Sequence, residues 1–352
     1  MQTEIIRIDR KQMNTDALEK AGNILRDGGL VAFPTETVYG LGANGLDEEA
    51  ARKIYAAKGR PSDNPLIIHI ADLEYLDKIV KEVPEAARKL ARAYWPGPLT
   101  MIFRKSDCVP YGTTGGLDTV AVRMPSDEIA REMIRRGGGY IAAPSANTSG
   151  RPSPTTAQHV YEDMNGKIPL ILDGGAVEIG LESSIVDLTM DTPTILRPGY
   201  ISLEMVREVL GDAEVDRGLI SDDSAVRPKA PGMKYRHYAP KANLQIVEGP
   251  VEQVVSYITT KADGAKKVGI ICTEETREQY SGGVVKCIGS RQDELSIASH
   301  LFAILREFDE DGVEEIYSES FETPGLGQAI MNRLLKAAGH QRIDVSEGQE
   351  EL

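Results

Sequence analysis

The sequence predicts an α/β protein of two domains: a twisted mixed sheet with helices over residues 1–212, a basic linker over residues 213–242, and a Rossmann-like parallel-sheet domain over residues 243–345. Three observations carry this reading. A chain of 352 residues exceeds the usual size of one hydrophobic core. The residue pattern changes from irregular to strictly repeating near Asn243. Between the two patterns, residues 227–241 read RPKAPGMKYRHYAPK, and the prolines at 228, 231 and 240 exclude a helix interior or a central strand there.

In the first part, strand-like runs are GLVAFPTETVYGLGA, NPLIIHI, LTMIFRK, TVAVRMP, GYIAAPSAN, LILDGG, SSIVDLT and TILRPG. Helical patterns cover residues 15–27, 47–57, 84–95 and 127–136, so they separate only some of the strands. Incomplete alternation of this kind points to a mixed sheet with helices packed on it. Thr155 is positioned to cap a short helix running through Val160. In the last part ANLQIVEG, KKVGIICT, VVKCIG and VEEIYSE read as strands. They alternate with the helical PVEQVVSYITTKAD, EETREQYS, DELSIASHLFAILREFDED and LGQAIMNRLLKAAG. That alternation implies βαβ units and a parallel sheet. Its first strand-to-helix turn has no glycine fingerprint, so no cofactor is expected there.

Composition narrows the class. Apolar residues make up 41% and charged residues 27%, as in soluble globular proteins. No apolar run reaches the length of a membrane span, and the opening MQTEIIRIDRK lacks the apolar core of a signal peptide. Cys108, Cys272 and Cys287 are too few and too scattered for a disulfide framework or a thiolate metal site. A cytoplasmic protein is expected. The formal net charge is -14 and the pI is near 5.0, a field that repels a nucleic-acid polymer. Small anions are still accommodated where positive charge is local, and the linker alone holds five Lys/Arg, one His and no acid across residues 227–241. On charge pattern alone it reads as a solvated tether.

Polar motifs cluster at strand ends: PTETVYG from Pro34, KGRP from Lys58, NPL from Asn64 leading to His69, WPGPLT from Trp95, and Thr119 to Arg123. PSANTSG from Pro144, PSPT from Pro152, Ser183-Ser184 and Arg197-Pro198-Gly199 follow. Most join a rigid Pro or Gly to a hydroxyl, an amide or a guanidinium. Such groups on fixed loops bind phosphate and carboxylate oxygens. Any one of them alone reads as a turn or a cap.

Three other signals compete. Gly40 to Gly45 matches G-x-G-x-x-G between a strand and a helix, but PTET interrupts the strand and no acidic residue ends a strand at the required distance. A Walker-type phosphate loop is absent, and no G-x-S-x-G elbow supports a serine nucleophile. His69, ending an apolar strand, reads as a base or as a polar wall residue.

PTETVYGLGA, KGRPSDNPLIIHI, WPGPLT, VAVRMP, PSANTSGRPSPT, SSIVDL and ILRPG, in this order, closely resemble the YrdC-type domain of threonylcarbamoyl-adenylate synthases. PGMKYRHYAPKA with the Rossmann-like tail resembles the longer two-domain members. The resemblance runs from about residue 15 to about residue 340 and implies an N-terminal YrdC-like fold. It implies an enzyme that makes threonylcarbamoyl-AMP from L-threonine, bicarbonate and ATP with release of pyrophosphate. A separate complex would then pass the threonylcarbamoyl group to tRNA, so this chain would bind tRNA weakly or not at all.

By that resemblance Lys58, Arg60, Asn64, Thr119, Ser145, Asn147, Ser153 and Arg197 would hold ATP. Thr37, His69, Arg123 and Ser183, with the backbone near Ala143, would hold threonine. Arg123 suits a carboxylate bidentately. Lys58 and Arg60 suit the charge growing between the α-phosphate and the leaving pyrophosphate, and are the catalytic candidates. Mg2+ would arrive with ATP; Glu36 and Glu182 are the nearest acidic candidates, each with a solvated alternative. Residues 234–240, with Tyr235, His237 and Tyr238, are expected to fold over the nucleotide as a lid. Two alternatives are weighed: a module binding double-stranded RNA, and a carbamoyl-transferring enzyme with another acceptor. The net charge opposes the first, and zinc-finger cysteines and an acylphosphatase-like segment, which the second would require, do not appear.

Overall fold

A computed structural model describes residues 2–216, 237–264, 267–321 and 324–346. The chain divides into two units, Met1–Ser149 with Ser153–Tyr235, and Gly150–Pro152 with Arg236–Leu352.

The first unit holds strands β1 Glu4–Arg7, β2 Val31–Phe33, β3 Gly40–Asn44, β4 Ile67–His69, β5 Leu99–Arg104, β6 Thr119–Arg123, β7 Ile141–Ala142, β8 Leu170–Asp173, β9 Ser184–Asp187, β10 Thr194–Arg197 and β11 Glu214–Val215. Its helices are α1 Thr15–Arg26, α2 Glu48–Lys58, α3 Leu76–Ile79, α4 Glu85–Tyr94, α5 Tyr111–Thr114, α6 Glu128–Arg136, α7 Ala157–Met164 and α8 Leu203–Leu210. The strands form one mixed sheet in the order β1-β8-β2-β3-β7-β4-β6-β5-β9-β10-β11, as the irregular alternation predicts. GLVAFPTETVYGLGA is a hairpin, with Val31 opposite Gly42 and Phe33 opposite Gly40, and PTET is its loop.

Helix ends follow local chemistry. The side chains of Asn14, Asp47 and Asp127 accept from the backbone N–H groups of Ala17, Glu49 and Ala130, capping α1, α2 and α6. Each such cap contributes about 1 kcal/mol. For α7 the cap is Thr156, which accepts from His159 N at 3.3 Å, and not the expected Thr155. Thr155 instead turns its carbonyl to Val177 N at 3.0 Å.

Alternation across the strands divides the apolar residues. Val120 and Val122 join Ile68, Met101, Phe103 and Val186 beneath α3, α4 and α8. Ile67, Ile102, Ala121, Ile185 and Leu196 point to the opposite face as a small strip. At the other end of the sheet, α1 and α6 cover Val31, Phe33, Ile141 and Leu172, while α2 and α7 cover Leu41, Ala43 and Ile171.

The second unit contains β12 Asn243–Glu248, β13 Val268–Cys272, β14 Val284–Cys287, β15 Glu315–Glu319 and β16 Arg342–Asp344, with α9 Val251–Ala262, α10 Glu294–Asp311 and α11 Leu326–Ala337. All pairings are parallel, in the order β14-β13-β15-β12-β16. This is the expected parallel sheet, although β15 lies between β12 and β13, which a Rossmann order would place side by side. Within this unit the buried Arg306 donates to Pro152 O at 2.6 Å, and Ala239 N donates to Gly150 O at 2.9 Å. The helix expected over residues 274–281 is only a 3₁₀ turn, Arg277–Gln279. Thr273, Thr276 and Tyr280 instead direct their hydroxyls to the buried Glu319, which Arg291 also meets at 2.6 Å. Side-chain bonding of this kind competes with helix.

Among the described residues no helix is long and apolar enough to cross a membrane. The G-x-G-x-x-G glycines prove to be packing devices. A Cβ on Gly42 would lie 2.8 Å from Ile141 Cγ2 and 3.0 Å from Phe33 Cε1. Gly42→Ala is therefore expected to destabilise the protein by about 1–3 kcal/mol through overpacking. A chemical-denaturation midpoint unchanged from wild type would contradict this.

Candidate functional site

One polar row crosses five neighbouring strands. His69 on β4 is in register with Arg123 on β6, and Arg123 with Thr100 on β5. Thr100 Oγ1 lies 2.8 Å from Ser183 Oγ, just ahead of β9. Ser183 accepts in turn from Arg197 at the end of β10, at its carbonyl (Nε, 3.0 Å) and its hydroxyl (Nη2, 3.1 Å). Because side chains alternate along β6, Thr119 and Ala121 share the face of Arg123. Thr119 thus stands at the opposite end of that strand, about 13 Å away at 3.3 Å per residue. The apolar strip of Ile67, Ile102, Ala121, Ile185 and Leu196 lies between them. A face with cations at one end, a hydroxyl at the other and an apolar floor between suits an elongated, amphipathic anion.

Loops at the sheet margin supply the rest. Lys58 ends α2, where Gly59 takes the left-handed conformation at φ 62° and turns the chain away. The Lys58 side chain is buried and donates to the carbonyls of Ser145 and Asn147. Ser145 Oγ donates to Asn147 Oδ1 at 2.5 Å. Arg60 holds its own loop closed by donating to Pro65 O at 3.1 Å and Asn64 O at 3.3 Å. Asn64 is buried, and its Oδ1 has no hydrogen-bond partner. Ser153 donates to the buried Glu182. Backbone bonds join these loops: Tyr39 N to Pro154 O at 2.9 Å, Ala146 N to Tyr39 O at 2.8 Å, and Gly180 N to Thr37 O at 3.0 Å. Thr37 is fully buried and its hydroxyl lies 2.9 Å from that of Thr35. Ala143 N donates to Ile67 O at 2.9 Å, which places the backbone after β7 beside β4.

Charge at the row is managed by burial. Arg123 is 4% exposed; its Nη2 lies 2.9 Å from Glu36 Oε1, and its Nε contacts Gly97 O at 3.4 Å. Glu36 and Glu182 are both buried, so the solvated alternative for each is set aside. His69 has its pKa pushed down from 6.5 to about 3, first by burial and then by the charge of Arg123, and its Nδ1 rests 3.1 Å from Ile67 O. It is therefore a neutral wall residue. Thr100 and the Glu36–Arg123 contact escaped sequence reasoning; the strand register of WPGPLT against VAVRMP was the available signal for Thr100. His237 and Tyr238 fall in the second unit, where Tyr238 is buried with its ring 5.0 Å from that of Phe302. Tyr235 lies outside the described residues.

Fold and site together define a two-domain α/β protein whose first unit gathers buried cations and hydroxyls along one sheet face. A family described as Telomere recombination, that of the Sua5, YciO and YrdC proteins, matches residues 23–199. A second, described as Threonylcarbamoyl-AMP synthase, C-terminal domain, matches residues 201–339. The chain belongs to the Sua5/YciO/YrdC family, in the form that carries this C-terminal domain. It is 49% identical to the threonylcarbamoyl-AMP synthase of Pyrococcus abyssi, over 96% of this chain and 98% of that protein. It is 48% identical to that of Bacillus subtilis, over 95% and 96% respectively. The crystal structure of Pyrococcus abyssi Sua5 complexed with L-threonine superposes with a TM-score of 0.92 at 48% identity, covering 97% of this chain and 100% of that one.

The depressed pKa of His69 links stability to pH. The unfolded chain binds a proton at this residue below about pH 6.5, whereas the folded protein resists it until near pH 3. Stability is thus lost as pH falls through that window, at up to about 1.4 kcal/mol per pH unit from this group. A His69→Asn variant should lose stability less steeply between about pH 6 and pH 4 when unfolded by denaturant. Equal slopes for variant and wild type would contradict the assignment of a neutral His69.

Proposed function

We propose that this chain synthesises L-threonylcarbamoyl-adenylate from L-threonine, bicarbonate and ATP, releasing pyrophosphate, as the first step in forming N6-threonylcarbamoyladenosine in tRNA. The observation that carries the reading is the near full-length likeness, at 49% identity, to a relative bearing that name. The arrangement of side chains is compatible with this reading. Arg123, with Thr37, His69, Ser183 and the backbone at Ala143, would receive the amino acid and its carboxylate. Arg197, Lys58, Arg60, Asn64, Ser145, Asn147 and Ser153 would line the phosphates, and Thr119 would meet the far end of the nucleotide.

The threonine amine captures bicarbonate as a carbamate, whose oxygen attacks the α-phosphorus as the bond to pyrophosphate breaks. No covalent enzyme intermediate is needed, and orientation of the reactants contributes about 7–11 kcal/mol in well-aligned cases. Mg2+ would enter as part of the ATP substrate. As a lid, residues 234–240, of which 234–236 lie outside the described residues, would keep water from the labile carbamate. The acidic surface suits a cytoplasmic enzyme that hands its product to a separate tRNA-modifying complex and binds tRNA weakly or not at all.

Pyrophosphate release by the purified protein should require both L-threonine and bicarbonate. Lys58→Met should lower it by roughly a hundredfold or more. Release independent of both substrates would overturn the reading. In the same assay, unchanged turnover in Tyr235→Ala and His237→Ala would reduce residues 234–240 to a tether.

A further inference from the structure

Glu36 is 6% exposed, and among the described residues neither of its carboxylate oxygens has a hydrogen-bond donor. Arg123 lies against it by charge, with Nη2 2.9 Å from Oε1. That nitrogen also lacks a hydrogen bond, so its N–H does not point along the line to the carboxylate. A buried acceptor left unfilled is costly, and more so when charged. Here an unfilled acceptor and an unfilled donor stand side by side. A zwitterion carrying an ammonium and a carboxylate on one carbon is the ligand that completes both.

We propose that Glu36 accepts the ammonium group of the amino-acid substrate and then takes its proton, which makes the amine nucleophilic. This rests on the function proposed above. The proton passes from nitrogen to a Glu36 oxygen, leaving a neutral amine. The nitrogen lone pair forms a bond to the carbon of bicarbonate. The C–O bond to the hydroxyl oxygen breaks, and that oxygen leaves as water with a second proton from nitrogen. The carbamate remains, ready for the α-phosphorus.

Neighbouring groups are unsuited to the task. His69 is held neutral with Nδ1 against Ile67 O, and Glu182 is occupied by Ser153. Glu36 is also among the residues lining a cavity of about 130 Å³, with Arg10, Thr35, Ser126, Asp127, Glu128, Val177 and Glu178. The cavity is large enough to hold water. Arg10 meets Asp127 there at 2.8 Å, and burial pushes the Asp127 carboxyl above its usual range. The charged groups facing Glu36 are thus Arg123 from β6, Arg10 beyond β1, Asp127 and Glu128 at the start of α6, and Glu178.

The test compares wild type, Glu36→Gln and Glu36→Asp by calorimetry. The ligands are L-threonine and its analogue with a hydroxyl in place of the amine; pyrophosphate release is then followed against pH. Wild type should prefer threonine by roughly tenfold or more, and Glu36→Gln should bind both alike. Turnover of Glu36→Gln at saturating threonine should fall by roughly a hundredfold and climb above about pH 8, where free amine is supplied by solvent. Glu36→Asp should recover part of both properties. If Glu36→Gln keeps the preference and the pH profile of wild type, the inference is wrong while the function stands. It is equally wrong if both variants lose turnover but keep the preference. If wild type binds neither ligand, the proposed function fails and the inference with it.

Discussion

Positive charge taken out of water is the constraint on which the first unit depends. Lys58, Arg123 and Arg197 are each no more than 4% exposed in a chain of net charge -14. A buried cation without oxygens around it would cost several kcal/mol, so each must be met by fixed acceptors. The partners are loop atoms: the carbonyls of Ser145 and Asn147 for Lys58, both oxygens of Ser183 for Arg197, and Gly97 O with the nearby charge of Glu36 for Arg123. The cations therefore set the loops that surround them. The same arrangement gathers loops from distant parts of the chain around one sheet face.

This explains how an acidic protein can handle a triphosphate. The molecule as a whole repels polyanions, but its row of fixed guanidinium, hydroxyl and imidazole groups is buried and screened little by solvent. On the proposed function, small anions would take up interactions the row now makes with the protein's own carbonyls and carboxylates, beside the buried apolar strip from Ile67 to Leu196. The second unit contributes a parallel sheet with a buried polar cluster in which Thr273, Thr276, Tyr280 and Arg291 donate to Glu319.

Much of this was legible in the residues. Proline and glycine flanking hydroxyls and amides marked the loops, and incomplete alternation of helix and strand marked the mixed sheet. What escaped has physical reasons. Glu36 reads locally as one more surface carboxylate, because its partner Arg123 is brought to it only when the PTET loop folds back over the sheet. The segment after β13 contains good helix formers, yet three of its hydroxyls are drawn to Glu319. β16 is too short and too polar, with Arg342 and Asp344 exposed, for periodicity to reveal it. Thr155 and Thr156 offer equivalent caps in sequence, and only the pairing of Thr155 O with Val177 N separates them.

The central claim is that the sheet face joins three small molecules with the carbon of bicarbonate between threonine nitrogen and the α-phosphate. Supplying radiolabelled bicarbonate with ATP and L-threonine, and separating the products rapidly, tests it most directly. The account predicts label in an adenylate that also contains threonine, formed in step with pyrophosphate. Label confined to unreacted bicarbonate while threonyl-adenylate or AMP accumulates would contradict it.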